Sequence, residues 1–298
     1  PKYMRIDSIV AHDTQTNLHF CIDTTTGLRK FSIVRWESSD SISSIFTAKK
    51  LYDFSNPHTK YFEDTTNAWA ARTSPFYFKI NAYDNCNRLV NVSNLLNSIT
   101  IRVTSQNLTT SISWDGLFSS NQNPITYSLY RIAYKDNQPI KSLIYEEESP
   151  MELSFTDNLN DFESQGYQSN FCYYAEGAYY NEPDNLKFTS RSRVVCIEVT
   201  PEIIMPNAID PTSTLTNMGN ARNLFAPIIS FNSTYKLTIY NRWGATVFQG
   251  TNTGWNGRQS NGELAPEGSY IYRIEVQTES GRKISKNGSL TVIYGPKK

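Results

Sequence analysis

Tyr235-Lys-Leu-Thr-Ile-Tyr-Asn-Arg-Trp-Gly244, followed by Gly254-Trp-Asn-Gly257 and Pro266-Glu-Gly-Ser-Tyr-Ile-Tyr-Arg273, sets the architecture at the C-terminal end of this chain. Tyr235, Leu237 and Ile239 alternate with Lys236, Thr238 and Tyr240, the two-residue period of a strand with one buried face. Asn241-Arg-Trp-Gly244 turns the chain, and Thr246-Val-Phe248 begins a second strand. Gly254, Gly257, Gly262 and Gly268 mark further turns, and Tyr270, Tyr272, Ile274 and Val276 predict another strand.

The same strand-and-turn character extends upstream, where residues 1–200 contain an internal repeat. Phe31-Ser-Ile-Val-Arg35 aligns with Tyr127-Ser-Leu-Tyr-Arg131 at an offset of 96, and Tyr61-Phe-Glu-Asp64 with Ser154-Phe-Thr-Asp157 at 93. Phe76-Tyr-Phe78 aligns with Phe171-Cys-Tyr173 at 95, and Ile99-Thr-Ile-Arg-Val103 with Val195-Cys-Ile-Glu-Val199 at 96. Near-constant spacing predicts two copies of one fold, each with about seven short strands in roughly 95 residues, the pattern of an immunoglobulin-like sandwich. In the first copy the last strand is expected at Ser98–Val103, and Lys49–Asp53 at most as a short turn. No long 3.6-residue period occurs, so the expected class is all-β: three tandem sandwiches in an elongated arrangement, at 1–104, 105–200 and 201–298. The linkers at Val103–Gln106 and Thr200–Pro201 are short, which predicts a semi-rigid rod.

Composition narrows function by exclusion. Lys plus Arg and Asp plus Glu both number 28, so no broad basic surface for nucleic acid is expected. No apolar run reaches the 18 or so residues of a membrane-spanning helix. No signal peptide begins at Pro1, and the chain is expected to be a trimmed piece of a longer exported protein.

The order of the C-terminal pieces resembles the gliding-motility-associated C-terminal domain, the type B sorting signal of type IX secretion. The motif positions are Pro206, Asn207, Asn241, Arg242, Trp243, Gly244, Gly254, Trp255, Gly257, Pro266, Gly268, Tyr270 and Tyr272. Gly288-x-x-Thr291-Val-Ile293 follows near the end, and Ala221-Arg-Asn-Leu-Phe225 stands for the segment that closes the family's first loop. The acidic, Gly-rich part of that loop is replaced here by Asp210-Pro-Thr-Ser-Thr-Leu-Thr-Asn-Met-Gly-Asn220. The resemblance implies a domain that is read by an export apparatus and performs no chemistry, on a protein delivered to the outer-membrane surface or secreted. Trp243 and Trp255 are expected to pack in the core or in turns.

The two upstream copies resemble fibronectin type III domains. Trp114 stands where that family keeps a core tryptophan, Tyr127-x-Leu-Tyr-Arg131 is similar to its third strand, and Phe171-Cys-Tyr-Tyr-Ala175 to its sixth. Phe20 takes the tryptophan position in the first copy, which also carries a long insert from about Ser38 to Thr59.

Candidate chemistry is sparse. The cysteines number four and have no metal-ligand spacing with the three histidines, so neither metal nor cofactor is expected. Cys172 and Cys196 fall on neighbouring strands and are candidates for a disulfide; Cys21 and Cys86 are a second candidate pair. No nucleophile elbow, phosphate loop, zinc-protease helix or dinucleotide fingerprint occurs. The chain is therefore expected to be a non-enzymatic spacer or adhesion segment whose partners are the secretion machinery and surface glycans or proteins. Two alternatives stay open. One is the accessory C-terminal region of a larger exported carbohydrate-active enzyme. The other is a carbohydrate-binding module that stacks Tyr179 and Tyr180 on sugar rings.

Overall fold

The structure, a computed structural model, describes residues 3–37, 48–65, 74–118, 125–181, 185–213, 216–217, 220–221, 223–231, 233–278 and 281–294. Among them there is no α-helix. The first copy of the repeat runs through β1 (Met4–Ala11), β2 (Thr16–Ile22), β3 (Lys30–Trp36), β4 (Lys49–Phe54), β5 (Tyr61–Asp64), β6 (Tyr77–Tyr83), β7 (Leu89–Val92) and β8 (Leu96–Asn97). The second runs through β9 (Ile101–Gln106), β10 (Thr109–Trp114), β11 (Ile125–Lys135), β12 (Gln138–Glu148), β13 (Ser154–Asn158), β14 (Tyr167–Asn181), β15 (Leu186–Arg191) and β16 (Val195–Glu198).

Both copies have one strand order. One sheet is β1-β2-β5 in the first copy and β9-β10-β13 in the second; the other is β4-β3-β6 and β12-β11-β14, with β7 and β8 paired to β6, and β15 and β16 to β14. This is the two-sheet plan of the immunoglobulin-like sandwich. The registers agree as well, since Thr16 lies opposite Asp64 as Thr110 lies opposite Asp157. Counting two residues at a time along the buried face makes Leu18 equivalent to Ile112 and Phe20 to Trp114, all four buried. The Phe20 N–H donates to the Lys60 carbonyl and the Trp114 N–H to the Leu153 carbonyl, the same closing contact in each copy.

The repeat also carries a buried ion pair. In the first copy the Arg35 guanidinium on β3 binds the Asp64 carboxylate on β5, with side chains 5% and 0% exposed. It also lies 4.2 Å from the Phe76 ring centroid. In the second copy Arg131 Nη1 binds both oxygens of Asp157 at 2.7 and 2.9 Å. Tyr173 Oη donates to the same carboxylate at 2.9 Å, where the first copy has Phe78. Burial, then the Asp157 charge, pushes the Tyr173 phenol well up, so it remains a donor.

Three expectations change. Ile101–Gln106 is the first strand of the second copy, paired along β10 from Trp114 to Thr109. The last strand of the first copy is instead supplied by Leu89–Val92 and Leu96–Asn97, so position 104 falls inside a strand. The apolar alternation at Ile99–Val103 is genuine, but a strand's period does not say which neighbour it pairs with. Second, Lys49–Phe54 is a strand, because Tyr52 and Phe54 point to one side, where Tyr52 stacks on Phe62 at 5.3 Å and Phe54 on Phe31 at 5.2 Å. Residues 38–47 of the expected insert lie outside the described residues.

Third, the copies are not joined only by a linker. β15 pairs in parallel with β1 at Val10 and Arg191, so one sheet runs β12-β11-β14-β15-β1-β2-β5 through both sandwiches. Ser190 Oγ accepts from the Ile9 N–H at 3.0 Å, and Arg5 lies 5.1 Å from the Phe188 ring centroid. Asn97 donates to the Gly116 carbonyl and accepts from the Phe118 N–H, and Arg102 forms a two-point ion pair with Asp115.

The chain divides into two compact units: Pro1–Ile132, Ile140–Asn158 and Phe171–Ile197 form one, and Ala133–Pro139, Leu159–Asn170 and Glu198–Lys298 the other. In the latter, the C-terminal segment forms β17 (Ile203–Ile204), β18 (Ala208–Ile209), β19 (Thr216–Asn217), β20 (Asn220–Ala221), β21 (Ile228–Ile229), β22 (Ser233–Tyr240), β23 (Thr246–Thr251), β24 (Gly268–Thr278) and β25 (Lys283–Val292). Its main sheet is β18-β25-β24-β22-β23. Leu237, Ile239, Tyr270, Tyr272, Ile274, Val276, Leu290 and Val292 form the buried face of that sheet, packed with Ile209, Phe225, Trp255 and Ala265.

Candidate functional site: the exposed turn of the C-terminal domain

Most of the C-terminal motif residues build the core or its closing loops. Trp255 is wholly buried, is held to Phe225 by two backbone hydrogen bonds (2.7 and 2.9 Å), and donates its indole N–H to the Arg258 carbonyl at 2.7 Å. Its ring lies 5.4 Å from Tyr270, as Phe225 does from Tyr272. Burial pushes both of these phenols up. Tyr270 Oη donates to the Pro266 carbonyl at 2.9 Å, fixing the turn that carries Gly268. The Asn207 carbonyl accepts from the Thr291 N–H at 2.9 Å, which seats β18 beside β25 after Pro206. Gly254 lies so close to Leu224 and Ala226, and Gly257 so close to Pro211, that a Cβ would come within 2.7 and 2.3 Å of them.

Gly288 shows the same economy of space. A Cβ there would lie 2.4–2.7 Å from the Tyr272 phenol ring, which is buried against Phe225 and has little room to rotate. Gly288→Ala should therefore destabilise this unit by about 1–3 kcal/mol through overpacking. Chemical denaturation followed by tryptophan fluorescence measures it, and an unchanged midpoint would contradict the close approach.

Asn241-Arg-Trp-Gly244 is different. The Asn241 side-chain oxygen accepts from the backbone N–H groups of Trp243 and Ala245, both at 3.0 Å. The Gly244 N–H donates to the Asn241 carbonyl and the Asn241 N–H to the Ala245 carbonyl, both at 2.9 Å. Asn in the first position and Gly in the last is the residue chemistry of a type I turn. Gly244 has φ +83°, a left-handed conformation that a residue with a Cβ resists. Contrary to the expected packing role, Trp243 points away from the core and is 75% exposed. The Arg242 guanidinium lies over it, 4.2 Å from the ring centroid. Tyr240 is half-buried beside this turn, and its cross-strand partner Ile271 is 54% exposed. Sequence reading found these positions but could not tell the outward tryptophan from the inward one.

The other candidates separate cleanly. Cys172 and Cys196 are joined as a disulfide across the paired strands β14 and β16. Cys21 and Cys86 are free thiols, the first on β2 and the second exposed in the turn after β6, so the second expected bridge is absent. Their strands are set by alternation, but the distance between them is a property of the folded copy. Thiol counting on oxidised, denatured protein should give two thiols per chain; four, or none, would contradict this pairing. Reducing the Cys172–Cys196 bridge should cost about 3 kcal/mol for a loop of this length. Tyr179 is buried and cannot stack on a sugar: its hydroxyl donates to the Asp7 carbonyl at 3.0 Å, and burial, then the Asp7 charge, pushes it up to about 12. Tyr180 is 52% exposed. Among the described residues, no three His, Cys, Asp or Glu side chains gather in a way that could hold a metal ion. No helix among them is long and apolar enough to cross a membrane.

Asn241–Gly244, Trp255 and the β24–β25 hairpin thus form one built module, and a known family shares its sequence. Residues 203–292 match the CHU_C Type IX secretion signal domain. The type IX signal implies interaction with the secretion machinery and export to the cell surface or into the medium. A search of curated proteins found no match to the chain. Among solved structures, the tetra-tandem repeat in the extending region of a large adhesion protein is similar over 97% of this chain and 73% of its own, at 8% identity and a TM-score of 0.31. The FN1–FN3 domains of chicken CNTN1 are similar over 97% of both chains, at 11% identity and a TM-score of 0.21. The alpha chain of the chicken interferon gamma receptor is similar over 66% of this chain and 97% of its own, at 10% identity and a TM-score of 0.23.

Proposed function

We propose that the chain is a non-enzymatic surface segment: the type IX signal delivers it, and the paired sandwiches act as a stiff spacer that presents an adhesive surface. The observation that supports the spacer reading is the sheet shared through β15 and β1, because a hinge between the copies would have to break strand pairing and the Ser190 and Asn97 contacts together. Two repeats that share a sheet lose the freedom of beads on a flexible linker. The test is to replace residues 1–197 in the exported protein with two unrelated sandwiches of equal length. Unchanged adhesion of displaying cells would assign these residues to spacing alone, and lost adhesion with intact export would assign them a binding surface. Hydrolysis of a polysaccharide by the purified chain would overturn the non-enzymatic reading.

A further inference from the structure

Trp243 is a large apolar side chain in a place where folding does not require it. Its indole is 75% exposed, while the same unit buries Trp255 completely, so the fold has a core site for one tryptophan and holds the other outside. The turn beneath it is fixed in advance by the two Asn241 side-chain hydrogen bonds and the left-handed Gly244. An anchor on a rigid turn loses little conformational entropy when a partner closes over it. Arg242 adds direction: its guanidinium covers the indole and makes no ion pair among the described residues. One indole face is therefore occupied, which disfavours flat stacking on a sugar and leaves the ring edge to enter a slot. The cation is left free for a carboxylate at the rim. Tyr240 and Ile271 extend the apolar surface beside it. Exposed Trp and Arg side by side are the residue types that dominate protein–protein binding energy.

We propose that Trp243 and Arg242 form the docking point of the signal domain on a protein of the export apparatus, in an apolar slot with an acidic rim. This rests on the reading of residues 203–292 as an export signal, and the test separates the two. The full chain, its Trp243→Ala, Trp243→Phe and Arg242→Glu variants, and a chain lacking residues 201–298 are expressed in a host with the type IX machinery. Surface display is measured by protease shaving, retention by fractionation, and folding by thermal melts of the purified proteins.

Trp243→Ala and Arg242→Glu should each lower the displayed fraction about tenfold with unchanged melting, and Trp243→Phe should restore part of it. Because both side chains are exposed, Arg242→Glu keeps the test decisive even if the tryptophan variant folds poorly. Normal display of both variants, with the truncated chain retained, would overturn the docking point and leave the export reading intact. Normal display of the truncated chain would remove the export reading itself. The full chain is also sedimented with vesicles of phosphatidylethanolamine and phosphatidylglycerol. Co-sedimentation that depends on Trp243 would assign the turn to lipid and overturn the protein partner.

Discussion

Without residues 201–298, the chain is expected to accumulate inside the cell envelope and not reach the surface. The export signal lies within 203–292, while the first compact unit contains no residue beyond Ile197. Truncation therefore removes the signal and leaves intact the cores built on Phe20 and Trp114, the shared sheet and the Cys172–Cys196 bridge. It also strips partners from Leu159–Asn170, such as the Phe231 N–H that donates to the Glu163 carbonyl, so a somewhat lower but cooperative melt is expected. Fractionation with surface proteolysis reads the main effect. The reciprocal fusion of residues 201–298 to an unrelated periplasmic cargo should move that cargo to the surface of a host with the matching machinery. A truncated chain displayed at the parental level would remove the export role of this domain.

The second large effect concerns stability. Asp64→Ala should destabilise the first copy by about 3–5 kcal/mol, because it leaves the Arg35 guanidinium buried beside Phe76 with its carboxylate gone. Asp157→Ala should do the same to the second copy and also leave the Tyr173 hydroxyl without that acceptor. The double variant Arg35→Met/Asp64→Leu should recover most of the loss, since two apolar groups of similar size need no desolvated charge to be balanced. Urea denaturation of the three proteins decides it. If Asp64→Ala cost under about 1 kcal/mol, the pair would be behaving like an exposed surface bridge.

The architecture was largely legible. Alternation at Tyr235–Tyr240 and at Tyr270–Val276, with glycines between, placed β22 and β24. Three of the four repeat offsets placed equivalent strands in both copies; the fourth aligned Ile99–Val103 with Val195–Val199, strands that hold different places in the sandwich. The aligned Arg35/Arg131 and Asp64/Asp157 were visible as a pattern. Nothing in the sequence said that each Arg meets its Asp, because they sit on different strands of different sheets. The candidate site was legible as a motif but not as a surface. Asn241, Gly244 and the tryptophans were found from their types, whereas inward and outward orientation depends on which turn each residue ends.

What the sequence determined alone is local: strand periods, turn residues, the repeat, and the signal motif of the C-terminal domain. These follow from the backbone preferences of single residues and the two-residue period of a strand, which need no distant partner. What only the tertiary structure decided is pairing. It gave Ile101–Gln106 to the second copy, Cys172 to Cys196 with Cys21 and Cys86 left apart, and β15 to β1. It also buried Tyr179 and exposed Trp243. An unpaired strand edge or a thiol accepts any partner that geometry brings near, and that geometry exists only once both sheets have closed on their cores.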